Sequence, residues 1–130
     1  PHIARPARPL TAGAVKVATI NFSNGSASLS SRDRQIIANA HQLQKERGGK
    51  IHIVGHASSR TNSTDPVPHK MVNFKVSVDR ADAIARELIR LGVKKEEMVV
   101  DAISDANPLY FEFMPTGEAG NRRAEIYLES

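Results

Sequence analysis

Three histidines, His52, His56 and His69, are the side chains best suited to hold a metal ion, and Ser58 and Ser59 beside His56 are best suited to act as nucleophiles. Neither pattern is completed. His52 and His56 lie four apart on a strand that ends in a loop, which does not present the one-sided pair a helix would. There is no cysteine, and the nearest carboxylate, Asp65, has no diagnostic ligand spacing. For the serines, no Gly-x-Ser-x-Gly turn exists, and proximity of His56 to Ser58 in sequence does not make a dyad. These residues therefore predict no metal site, no cofactor and no enzyme. His56, directly after Gly55, is expected to fix a strand end through one ring nitrogen, and Gly55 to permit a close backbone approach. Arg122 and Arg123 beside Asn121 form a basic spot, with one arginine expected along the sheet and the other in solvent. Phe74, Tyr110, Phe111 and Phe113 suit either a peptide groove or a small core beneath loops.

Composition narrows the partners. The chain has 130 residues, 40% apolar and 25% charged, the size and mix of one globular domain. Absence of cysteine removes disulfides and thiolate chemistry. The formal charge of +4, from 18 basic and 14 acidic residues, mildly favours anionic partners such as a cell-wall polymer. With no tryptophan, two tyrosines and no recognisable motif, nucleic acid is not an expected partner. No apolar run approaches the roughly 18 residues of a membrane span, so the domain itself is not expected to cross one. His2, Arg5 and Arg8 among prolines do not read as a signal peptide, so an exported protein would have a processed or trimmed start here.

The elements that must position these residues follow from periodicity. Residues 1–13 read as a Pro-rich arm or linker, and 14–130 as the folded domain. A strand is predicted over Val15–Phe22, where alternation mixes with a shift of face, and Asn24-Gly25 marks a turn. Ser30 or Ser31 caps a helix with Asp33 in its first turn; Ile36, Ile37, Ala40 and Leu43 form its apolar stripe, and Gly48-Gly49 stops it. Lys50–Gly55 is a second strand, and the polar stretch Ala57–His69 a long loop. The clearest helix spans Asn73–Leu91 and ends at Gly92; Met98–Ile103 is a third strand, Ser104–Gly120 a loop, and Ala124–Leu128 the last strand. This order predicts an α+β two-layer sandwich, β-α-β-α-β-β, with two main helices on one face of a mixed four-stranded sheet.

Three stretches carry a resemblance. Gly55-His56-Ala57-Ser58, then Asn73-Phe74-Lys75-Val76-Ser77-Val78-Asp79-Arg80-Ala81, then Asn121-Arg122-Arg123-Ala124-Glu125-Ile126 resemble the OmpA-like C-terminal domain. That family includes outer-membrane porin tails, peptidoglycan-associated lipoproteins and flagellar stator anchors. The likeness runs from about Val17 to Leu128. It implies a non-covalent grip on the peptide stem of peptidoglycan, of the diaminopimelate type, which anchors a periplasmic, outer-membrane-associated or otherwise membrane-tethered protein to the cell wall. In the family, an aspartate and a helix arginine hold the zwitterionic end of diaminopimelate. Carried over by position, the arginine is Arg80, with Ser77 and Asn73 as the helix serine and asparagine; Gly55, Asn121, Arg122 and Arg123 are supporting residues.

The aspartate does not carry over. Ser58 stands in its place and Ala57 replaces the preceding threonine. A neutral hydroxyl supplies only the weaker, uncharged hydrogen bond to an ammonium group. Three readings follow: Ser58 with His56, Ala57 and backbone carbonyls receives the ammonium; Asp65 brings the missing charge from the enlarged loop; or the fold serves a protein partner in the envelope or a divergent wall component instead. The first two, with Arg80 on a stem carboxylate, are the expectation.

Overall fold

The computed structural model describes residues 5–6, 13–23, 25–57, 66–103 and 122–129. Strand β1 is the dipeptide Arg5–Pro6, β2 is Ala14–Asn21, α1 Ser31–Arg47, β3 Lys50–His56, α2 Pro66–Arg90, β4 Met98–Ile103 and β5 Arg123–Glu129, with a single 3-10 turn at Lys95–Glu97 before β4. The sheet order is β1-β4-β3-β5-β2. β3 and β4 are parallel, while β5 runs antiparallel to both β3 and β2, so the sheet is mixed. The four predicted strands are present. The fifth comes from the Pro-rich arm, where Arg5 and Pro6 pair with Asp101 and Ala102 of β4. Proline is tolerated there because the strand lies at the sheet's edge.

Local chemistry sets the boundaries. The shift of face in the first predicted strand is a β-bulge between Lys16 and Ala18, after which Ile20 points into the core. Ser30 caps α1 in a reciprocal capping box: the Asp33 amide donates to Ser30 Oγ at 3.0 Å, and the Ser30 amide to Asp33 Oδ2 at 2.9 Å. At the other end Gly48 takes φ 77°, and its amide donates to the Gln44 carbonyl at 2.7 Å. Helix α2 starts earlier than the sequence predicts, so the last residues of the expected Ala57–His69 loop are helical. Pro66 and Pro68 fall in the first turn, where a proline forfeits an N–H that no helical carbonyl would have accepted.

Both helices supply the apolar core. Ile37 and Ala40 of α1, and Ala81, Ile84, Ala85 and Leu88 of α2, are buried in one cluster with Ile51 and Ile53 of β3, Val100 of β4 and Ile126 of β5. Closest approach occurs at Gly55, where an added Cβ would lie 2.0 Å from the Ser77 carbonyl oxygen and 3.1 Å from Ala81 Cβ. Only a residue without a side chain lets β3 and α2 come this near. That contact delivers the next helical turn, and Arg80, to the end of β3.

Candidate functional site

Arg80 is fully buried, 1% exposed, yet none of its described partners is a carboxylate. Its Nη1 donates to the His56 carbonyl at 2.9 Å, Nη2 to the Ser23 carbonyl at 3.1 Å and Nε to the Ser26 carbonyl at 2.8 Å. The guanidinium also lies over the Phe22 ring, 5.3 Å from its centroid. One planar fork thus ties α2 to the end of β3 and to the β2–α1 connection. Burial strips its hydration, and the nearby Arg122 charge adds repulsion; together they lower its pKa to about 10, so it stays cationic at neutral pH.

The same connection borders an open cavity of about 420 Å³, lined by Asn21, Phe22, Ser23 and Ser26, the Ser28–Ser30 segment and Asp33. Arg80 does not line it but is bonded to the carbonyls of two residues that do, Ser23 and Ser26. Among the described lining residues Asp33 is the one acidic side chain, and the serines present hydroxyls able to donate or accept. The arrangement can hold a small polar, charged ligand segment.

The OmpA family model matches residues 21–122. The chain belongs to the OmpA family. Among curated relatives, the "Peptidoglycan-binding protein ArfA" of Mycobacterium tuberculosis is 30% identical over 114 residues, covering 87% of this chain and 33% of ArfA. The chain thus spans about a third of the length of that relative. Among solved structures, the peptidoglycan-associated lipoprotein from Burkholderia pseudomallei superposes with a TM-score of 0.70 at 23% identity, over 84% of this chain and 88% of that one. The cell wall anchor of the T6SS from Pseudomonas aeruginosa gives 0.71 at 25% identity, over 86% and 79%.

Within this OmpA-family domain, the structure gathers some of the candidates and separates others. Gly55, Ser77 and Arg80 meet at the β3–α2 contact, with Ser77 fully buried beneath Gly55. Ala57 is buried directly beyond β3. Arg122 Nε reaches the Phe22 carbonyl at 3.4 Å, next to Arg80. Arg123 is the arginine that lies buried on the sheet, in an ion pair with Glu125 at 3.3 Å, while Arg122 is half-buried. Ser58, Asp65 and Asn121, and the Tyr110, Phe111 and Phe113 aromatics, lie outside the described residues, as do the side chains of His69, Asn73 and Phe74. His56 offers its backbone carbonyl to Arg80, while its imidazole turns to the opposite sheet face, where Nε2 bonds Glu125 Oε1 at 3.0 Å.

That opposite face holds a second cluster, absent from the sequence reading. His52, 1% exposed, bonds Glu129 Oε1 through Nδ1 at 2.8 Å and Asp101 through Nε2. Next to it, Glu125 accepts from His56, from the Tyr127 hydroxyl at 3.0 Å, and pairs with Arg123 and with Lys16 at 3.4 Å. Burial alone would push the Glu125 carboxyl up, but the His56 bond and the Arg123 charge, with help from Tyr127, hold it well below the usual carboxylate range. Tyr127 is pushed up to about 12 by burial and by the same carboxylate. The sequence did show polar residues alternating with Ala124, Ile126 and Leu128. Nothing in that alternation said that the polar side would be buried.

Proposed function

We propose that this domain binds the peptide stem of peptidoglycan, without making or breaking a bond, and so anchors a cell-envelope protein to the wall. The observation that carries the reading is the guanidinium of Arg80, buried against carbonyls with no described carboxylate beside it, two of those carbonyls belonging to residues that line an open polar cavity. With no described carboxylate against it, the Arg80 cation favours a stem carboxylate near the backbone it bonds, while Asp33 supplies the anion of the same lining. Asp33 and the serine hydroxyls that line the cavity suit the ammonium group of the same stem, and Ser58 or Asp65 would supply a further acceptor. Kinship with a protein named for peptidoglycan binding supports the same ligand class. Among the described residues no helix is long and apolar enough to cross a membrane. Periplasmic placement, facing the wall from an attached membrane protein, follows from this role.

Arg80 engages three carbonyls already, which favours a second reading, in which the fold holds an envelope protein partner and the arginine is purely architectural. Retention on purified peptidoglycan separates the two. Arg80→Ala should lose retention at least about tenfold while costing roughly 3 kcal/mol of stability. Arg80→Ala protein that stays folded in circular dichroism and binds sacculi as well as wild type would leave only the partner reading.

A further inference from the structure

We propose that His56 and Glu125 form a positioning pair that sets the strand-end carbonyl held by Arg80, so that protonating the His56 imidazole loosens the wall-binding cavity. The inference rests on the stem-binding reading and adds regulation to that site. A single residue joins the two halves of the device. On the helix side of the sheet, the His56 carbonyl accepts from Arg80 Nη1 at 2.9 Å; on the other side, the His56 ring bonds Glu125 at 3.0 Å. Arg80 extends the connection through the Ser23 and Ser26 carbonyls, which belong to residues lining the cavity.

The surrounding charges decide how a proton acts here. From β5, Glu125, Arg123 and Tyr127 converge on the ring's partner; from β2, Lys16 reaches the same carboxylate. On β3 and β4, His52 and Asp101 are bonded to each other. Facing the carbonyl is Arg80. With His56 neutral, one carboxylate, Glu125, already answers two cations, Arg123 and Lys16. A proton on His56 adds a third cation beside that carboxylate, on a buried ring that water screens poorly. Burial disfavours the charged ring, and Arg123 and Lys16 repel it; these outweigh the pull of Glu125, so the pKa of His56 lies below its ordinary value. At this residue the folded state therefore binds fewer protons than the unfolded chain between the lowered pKa and pH ~6.5, and acidification through that window works against the native arrangement here. A displaced ring would move the carbonyl with it, because both belong to one strand-end residue.

The test follows the ligand-free domain by NMR from pH 7.5 to 5, recording the His56 ring and the Arg80 guanidinium N–H signals. Wild type should show the Arg80 signals moving with the His56 midpoint, and His56→Gln should abolish that movement. In parallel, retention of wild type on peptidoglycan sacculi should fall at least about fivefold across the same range, with the ratio near one in His56→Gln. Arg80 signals that ignore the His56 titration in wild type would overturn the inference, and this arm needs no folded variant. Absence of retention at every pH would instead count against stem binding, while the NMR arm still decides whether His56 controls Arg80. Should His56→Gln fail to fold, Glu125→Gln replaces it: removing the carboxylate should shift the His56 midpoint and carry the Arg80 response with it, and a fixed Arg80 response would reject the coupling.

Discussion

On the helix side of the sheet, β3, β4 and β5 present Ile51, Ile53, Val100, Ala102, Ala124 and Ile126; on the other side the same strands present His52, His56, Asp101, Glu125 and Glu129, most of them just as buried. The first face gains stability from area taken out of water, which is indifferent to pH and to exact orientation. The second holds groups whose burial is costly unless each finds a partner, so its stability is conditional on protonation and geometry. Equal burial thus conceals two different physical contracts. The helix face makes the fold; the ionisable face makes it responsive. His56 belongs to both, its carbonyl bonded to Arg80 on one side and its ring to Glu125 on the other.

Three measurements would sharpen or break that contrast. Ile53→Ala, on the helix face, should have the largest effect, about 2–5 kcal/mol by urea unfolding, with the same loss at pH 5 and pH 8. A strongly pH-dependent loss would show that the two faces are not independent. Glu125→Gln should cost about 1–3 kcal/mol at pH 7, because it leaves His56, Arg123 and Lys16 without their shared anion. Its sign with pH is fixed: the carboxyl's folded pKa is depressed, so its contribution is present above about pH 4.5 and is lost as pH falls further. The gap between Glu125→Gln and wild type should therefore narrow on acidification below that point; a gap that stays constant would contradict the ion-pair account. Smallest of all, Lys75→Ala removes an exposed ion pair to Asp79 at 2.9 Å and should change stability by no more than about 0.5 kcal/mol in thermal melts. Such a surface pair is the control for charge that is not buried.

Much of the architecture was legible in residue order. Ser30 with Asp33 and Gly48 announced the two ends of α1, and the broken alternation from Val15 to Phe22 announced the bulge in β2. Two departures have local causes. The prolines at 66 and 68 carry opposite meanings in a loop and in a helix's first turn, and periodicity has too few residues there to choose. Arg5–Pro6 pairs with β4 as an edge that no alternating pattern could reveal in two residues. The candidate site was legible as a set of names more than as a geometry. Arg80 stood out through its resemblance to the family motif, but its acceptors at Ser23 and Ser26 lie more than fifty residues away and are backbone atoms, which carry no sequence signature.

By itself, the order of apolar and turn residues determined the elements and the side each shows to the core, because periodicity and capping act over a few neighbouring residues. Tertiary structure alone decided which polar groups would be removed from water and with whom. His52 meets Asp101 across 49 positions and Glu129 across 77, through pairings set when β4 and β5 flank β3. Those contacts exist only after the strands are in register, since the energy of a buried charge depends on the partner that folding brings to it.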